Sequence, residues 1–416
     1  MSKPNESSAQ SLQPGFGGIP ARAVSRRGAP VATGMAQRIA HASGINVFSS
    51  FEQAEEAWRA LEGNAVGTAF QRFDWLAIWH EHVGQHEGVE PAIAVVSRGG
   101  HPIMLAPFGI ERHLGLKRLV WLGGRLADYK APLITRDFWK HMPEEGFPAL
   151  WKQVMRALPS FDYVMFENQP AMLGELRNPF AVLPGSEAPD DAWLFDLPDS
   201  FEELTQRYRS ATRRNDRSKL RKLEAEGEVT FEFAKDTDEL VAMTNEVLER
   251  KAEQLAAQGI SSIFQDPAHR AAWRALAALP EERRLLEVAV LRLDREFLSG
   301  SVSHVWHSRS TLMVHTYDEG KYPKLSPGRL HLLKHLQSSI DRGLEVYDLS
   351  VGYLPYKASF CDAPMRMVNH LTPVSLQGVL PVAAISGRLA AKRAIKRNPK
   401  MYERLRRLRA TVKGGR

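Results

Sequence analysis

One succession of elements is written twice in this chain, on either side of a stretch rich in Pro, Gly and acids at Gly174–Asp191. Before that stretch, apolar spacing predicts a helix over Phe51–Leu61 and helical structure within Phe70–Trp79, where Phe73, Leu76 and Trp79 recur at helical spacing. Strands follow at Pro91–Ser97, Pro102–Arg112 and Lys117–Leu122, then a helix around Glu145–Ala157 and a strand at Tyr163–Glu167. After it come a long helix over Phe201–Glu226, a strand at Val229–Ala234, and helices at Thr237–Ala257 and His269–Leu279. Strands at Leu286–Leu293, Phe297–Trp306 and Thr311–Tyr317, a helix at Pro327–Arg342, and strands at Val346–Leu349 and Val368–Ser375 complete the second half. A duplicated order of this kind restricts the fold to two α/β (α+β) units, each a mostly antiparallel sheet flanked by helices. The length of 416 residues agrees, being too great for one ordinary core. The expected division is a disordered leader over 1–43, units over 44–195 and 196–380, and a basic helical tail over 381–416.

Charge and cysteine usage narrow the partners. The net charge is +7, yet Arg388 to Arg416 alone holds twelve Lys/Arg against the single acid Glu403. The basicity therefore belongs to the tail, which argues against nucleic-acid binding by the core. A helix over Gly387–Arg409 with a thin apolar stripe is expected to make weak, salt-sensitive contact with an anionic membrane surface. The apolar runs, such as Ala92–Val96 and Ile103–Phe108, are far shorter than the roughly 20 residues a spanning helix needs. Cys361 is the only cysteine, so an intrachain disulfide and a Cys-rich metal site are excluded, and a reducing, cytoplasmic setting is expected. His331 and His335 share a helix face with no third ligand in sequence, so no metal is expected.

Four motifs in the second half carry a family resemblance. They are the Arg-rich helix Ser210–Gly227, the pair Glu246–Lys251, the strand-to-helix segment Tyr317–Gly328, and Gly343–Phe360 with its Asp348, Gly352, Tyr356 and Lys357. The first half adds Phe73-Asp-Trp75-Leu76 and Gly123-Gly124 with Asp128-Tyr129. Over roughly 45 to 375 the chain resembles the GNAT-superfamily proteins called CelD-like, which are linked to cellulose and exopolysaccharide biosynthesis. It is similar in layout to Fem-type aminoacyltransferases. The resemblance implies a tandem GNAT fold, an acyltransferase activity, and a cleft between the halves.

Acyl transfer from a thioester requires a base for the acceptor, donors for the oxyanion and a cradle for donor phosphates. The resemblance assigns Lys357 to the oxyanion and Asp128 to the acceptor as base or anchor; an Asp in a Gly-rich turn also serves simply as a cap. Asp348 ends a strand and suits either catalysis or the following turn. Arg213, Arg217 and Arg221 fall at i, i+4 and i+8 on one helix face and are donor-binding candidates, against the alternative of a solvated face. Ser326, Gly328 and Arg329 open the Pro327 helix, whose N-terminal amide groups favour an anion. Tyr129, Glu246, Tyr317 and Tyr356 are acceptor-side candidates, with Glu246 equally suited to an ion pair with Arg250. No permanently bound cofactor is expected; acyl-CoA, acetyl-CoA included, is the expected co-substrate. The chain lacks the Gly-rich pyrophosphate loop of standard GNAT enzymes, which leaves an acyl-carrier protein or aminoacyl-tRNA as other donors. A catalytically silent binding module in polysaccharide assembly is the remaining alternative.

Overall fold

The structure, a computed structural model of the whole chain, describes residues 43–354, 356–361 and 363–397. The first unit begins with β1 (Ser43–Phe48), which the leader reading had ended upon, and continues through α1 (Phe51–Glu62) and α2 (Phe73–Trp79). Strands β2 (Glu90–Arg98), β3 (His101–His113) and β4 (Leu116–Trp121) form an antiparallel meander with β1. Helix α3 (Phe147–Ala157) then crosses over to β5 (Tyr163–Pro170), which runs parallel to β4.

The second unit repeats this plan. After β6 (Ala192–Asp196) and α4 (Ser210–Glu224), strand β7 (Val229–Phe233) leads into α5 (Thr237–Ala257) and α6 (Pro267–Ala277). The meander is β7, β8 (Leu286–Leu293), β9 (Glu296–Trp306) and β10 (Arg309–Tyr317). Helix α7 (Pro327–Asp341) crosses to β11 (Val346–Val351), again parallel to the last meander strand. Each unit thus has four antiparallel strands, one parallel strand, and an antiparallel neighbour beyond it.

That outermost neighbour is exchanged between the units. Strand β12 (Met367–Pro373), far along the chain, pairs with β5 of the first sheet from Met367↔Pro170 to Pro373↔Tyr163. Strand β6 pairs with β11 of the second sheet, Asp196 opposite Val346. The sheets are therefore interlocked, and neither is complete without a strand from across the 195/196 boundary.

The seam between the units is core. Trp75 and Trp79 of α2 are fully buried, and Trp75 meets Trp273 of α6 edge-on at 5.7 Å. Asp74 accepts from Arg59 of its own unit (2.8 Å) and from Arg283 of the other. Phe73 and Trp121 are buried too, so this aromatic set is packing.

Two helices differ from the sequence expectation. The segment 201–226 is broken into Phe201–Gln206 and α4, because Arg209 adopts an extended backbone (ψ 142°). Arg213 turns back and donates to the carbonyls of Thr205, Gln206 and Tyr208, which the break leaves without helical partners. The C-terminal helix α8 (Val379–Arg397) begins eight residues before Gly387; residues 398–416 of the expected tail lie outside the described residues.

Candidate active site

The parallel strands β10 and β11 pair only over Arg309↔Val346, Ser310↔Tyr347 and Thr311↔Asp348, after which their register ends. Asp348 sits at this parting point and is fully buried. Its Oδ1 accepts from the Tyr129 hydroxyl of the first unit at 2.7 Å and from the Ser350 amide at 2.7 Å. Its Oδ2 has no hydrogen-bond partner and faces the Arg309 guanidinium at 3.8 Å.

Tyr129 is placed by a Gly-Gly turn. Gly123 (φ 106°) and Gly124 (φ 47°) take left-handed conformations, and a Cβ on Gly124 would stand 3.0 Å from the Trp79 indole. The loop they open carries Asp128 and Tyr129 to the seam, where Gln71 donates to the Tyr129 carbonyl at 2.9 Å. Half-buried Asp128 accepts from the Ser350 hydroxyl across the seam. Ser350 is itself in the left-handed region, φ 63°, a non-glycine backbone strain of the sort found where a side chain must be aimed.

Lys357 is only 5% exposed and donates from Nζ to the carbonyls of Ser350 (3.3 Å) and Val351 (3.1 Å). Burial lowers its pKa, while the nearby Asp128 and Asp348 carboxylates oppose that shift. Burial raises the pKa of both carboxyls, offset at Asp128 by Ser350 and Lys357 and at Asp348 by Arg309 and Tyr129. Lys130, beside Glu167, Glu111 and Asp128, is likewise lowered by burial. The seam thus joins two carboxyls whose pKa burial raises and an amine whose pKa burial lowers, drawn from both units.

Arg309 and Thr311 also line a cavity of about 1080 Å³ between the units. Its other wall comes from the first unit, at Thr68, Arg136 and Glu175. Through Arg309 the enclosed cluster touches a space large enough for a substrate. Of the sequence candidates, Lys357, Asp128, Asp348 and Tyr129 come together here. Arg309, Thr311 and Ser350 were missed; an isolated arginine or serine on a strand carries no local signal.

The remaining candidates lie elsewhere. Glu246 is bonded through both oxygens to Arg292 (2.6 and 3.1 Å) instead of Arg250, which pairs with Glu253. Arg329 is held by both oxygens of Asp216, each at 2.8 Å, so its charge is already met. Ser326 stands at the N-cap position with φ 54° but makes no side-chain cap; its hydroxyl accepts from Lys219 at 2.8 Å. The Arg329 and Leu330 amides already donate to the Ser326 carbonyl. Gly328 is a packing glycine, since a Cβ there would come within 2.7 Å of the Tyr317 ring. Tyr317 is 42% exposed, and Tyr356, half-buried, has its hydroxyl pKa pushed up to about 12 by burial. Of the arginine row, Arg213 caps the preceding helix, whereas Arg217 is exposed and lines a 380 Å³ groove with Leu220, Leu333 and Lys334. Arg221 is exposed in the last turn of α4.

Between α7 and the second sheet runs a column of buried histidines. Ser299, Ser301 and Ser303, alternate residues of β9, meet His315 (3.2 Å), His331 (2.8 Å) and His335 (3.3 Å), and Tyr347 meets His335 at 2.9 Å. Burial lowers His315 and His335 to about 3 and His331 well below its ordinary value, so these rings are neutral and serve as hydrogen-bonding struts.

With this geometry in hand, residues 210–358 match the family model described as an acetyltransferase (GNAT) domain. The second unit has the GNAT fold and the first repeats its strand pattern, giving two units of this fold in tandem. Among solved structures, the chain is similar to the C-terminal domain of a protein named as a lysylphosphatidylglycerol synthetase from Agrobacterium fabrum. The identity is 13%, over 81% of this chain and 97% of that one, with a TM-score of 0.50. It is also similar to FemX, at 11% identity over 79% and 95% of the respective chains and a TM-score of 0.51. At such identities the likeness is one of fold. No curated protein sequence matches the chain.

Proposed function

We propose that this protein transfers an acyl group from a thioester donor to an amine or hydroxyl acceptor, with the reacting groups meeting beside the seam cluster. The observation that carries this reading is the Lys357 amine, withdrawn from water beside Asp128 and Asp348 where β10 and β11 part. Asp128, the more exposed carboxyl, takes the proton from the acceptor; its raised pKa makes it a better base near neutrality than an ordinary aspartate. The acceptor atom attacks the thioester carbonyl, Lys357 donates a hydrogen bond to the oxyanion, and collapse breaks the C–S bond. The departing thiolate takes up the proton, so no covalent enzyme intermediate is needed. Asp348, Tyr129 and Arg309 hold the cluster in register.

The motif resemblance to CelD-like proteins supports a sugar, amino acid or envelope-polysaccharide precursor as acceptor, bound in the cavity lined by Arg136 and Arg309. Acyl-CoA or an acyl-carrier protein is the favoured donor. A second reading, an aminoacyl-tRNA donor, is favoured by the exposed cations Arg217 and Arg221 and by the fold likeness to FemX. The test is a panel of acyl-CoAs, acyl-carrier protein and charged tRNA, scored by thermal shift and by donor turnover with amine acceptors. Turnover with one donor class supports transfer. Absence of both shift and turnover across the panel points instead to a silent binding module.

A further inference from the structure

Large apolar side chains are concentrated on the surface where β12 turns into α8. Leu376 is 92% exposed, Leu380 79%, Val374 52% and Val379 47%. This turn is firmly held. The amides of Val374 and Ser375 donate to the Asp162 carbonyl (2.8 and 3.0 Å), and the Ser375 hydroxyl donates to the Asp162 carboxylate at 2.7 Å. Gly378 packs so closely on Asp162 that a Cβ would lie 2.2 Å from its carbonyl oxygen. The leucines therefore cannot fold back to bury themselves.

The exposed face of α8 continues this surface. Leu380, Ala383, Ala384, Gly387, Ala391 and Ala394 recur at three- and four-residue spacing, and all are exposed. The opposite face is docked, with Leu389 buried and Arg393 donating to the Glu187 carbonyl at 2.7 Å. Between Val374 and Arg397 there is no acidic residue, while Arg388, Lys392, Arg393, Lys396 and Arg397 supply five cations. Arg388 is exposed beside this face, and Lys392, 3.8 Å from Asp190, is 54% exposed, so an apolar edge stands next to positive charge and marks an interaction surface.

We propose that the 374–380 turn and the outer face of α8 form a docking surface for an anionic lipid bilayer. The leucine-bearing turn enters the headgroup region as a wedge, and the exposed Arg388 beside it lies against the lipid phosphates. The arrangement lies on a membrane; among the described residues no helix is long and apolar enough to cross one. The wedge precedes the Gly387–Arg409 segment that sequence reading singled out, and the inference stands independently of acyl transfer.

The full chain is tested by flotation with phosphatidylcholine vesicles made with and without phosphatidylglycerol. Anionic vesicles are expected to bind at least about tenfold more strongly than neutral ones. The double substitution Leu376→Asp and Leu380→Asp should abolish binding with the melting temperature unchanged, because both side chains are exposed. Leu376→Trp should show blue-shifted emission on vesicle addition. Binding that survives the double substitution overturns the proposal, as does failure of the wild-type chain to bind either vesicle. Two further outcomes also overturn it: a dimer that the double substitution converts to monomer, or retention by RNA, lost with the same substitution, in a chain that ignores vesicles.

Discussion

The hydroxyl of Tyr129 donates to Oδ1 of Asp348 over 2.7 Å, between residues 219 positions apart in the chain and on opposite units. Both side chains are fully buried, so this bond is shielded from water and fastens the loop after Gly123-Gly124 to the parting point of β10 and β11. Tyr129→Phe leaves the carboxylate without that donor and is expected to destabilise the protein by about 1–3 kcal/mol. Urea denaturation would show it as a lower midpoint with an unchanged slope. An unchanged midpoint would mean the bond holds nothing together.

Lys357→Ala and Asp128→Asn are expected to lower turnover by about 10²–10³-fold, the usual scale for losing one polar group aimed at developing charge. Melting temperature and far-UV circular dichroism check that the fold survives. Full activity in either variant would remove that residue from the chemistry.

Arg329 and Arg217 separate packing from binding. Arg329→Ala strips Asp216, 8% exposed, of both its hydrogen bonds and should cost about 2–4 kcal/mol. Arg217→Ala should leave stability within about 0.5 kcal/mol and raise the KM for the donor. Thermal melts and donor titrations on both variants decide the matter; a donor KM changed only by Arg329→Ala would reverse the assignment.

The buried histidines set a pH dependence. His304, His315 and His335 titrate near 3 in the folded protein because burial disfavours the charged ring, which also holds His331 well below its ordinary value. Unfolded, each takes up its proton near 6.5, so between these values the unfolded chain binds more protons. Stability from this source is complete above about pH 6.5 and is lost as pH falls toward 3, at roughly 1.4 kcal/mol per pH unit for each ring. Denaturation midpoints should thus be lower at about pH 5 than at about pH 7, and His335→Gln should narrow the gap. Equal midpoints would show that the rings protonate freely in the fold.

Much of the architecture was legible before the structure. Strands β8 and β9 and helix α5 fall almost where apolar spacing put them, since periods of two and 3.6 follow from which face of an element meets a core. The motif around Asp348 and Lys357 was singled out through its family resemblance, and the structure brings both residues beside Asp128 and Tyr129. The break at Arg209 was not legible, because its cause is Arg213 reaching back to three carbonyls, a contact no propensity encodes.

Local periodicity in the chain was enough to indicate a repeated α/β plan and most of its elements, though not β1 or β6. Which strand completes which sheet, with β12 returning to β5 and β6 joining β11, was settled in three dimensions. So were Ser350 meeting Asp128, Arg309 facing Asp348 and Asp216 claiming Arg329. The reason is physical: side-chain pattern reports whether a residue faces inward, but a hydrogen-bond partner some two hundred residues away is chosen by packing geometry, to which neighbouring residues carry no clue.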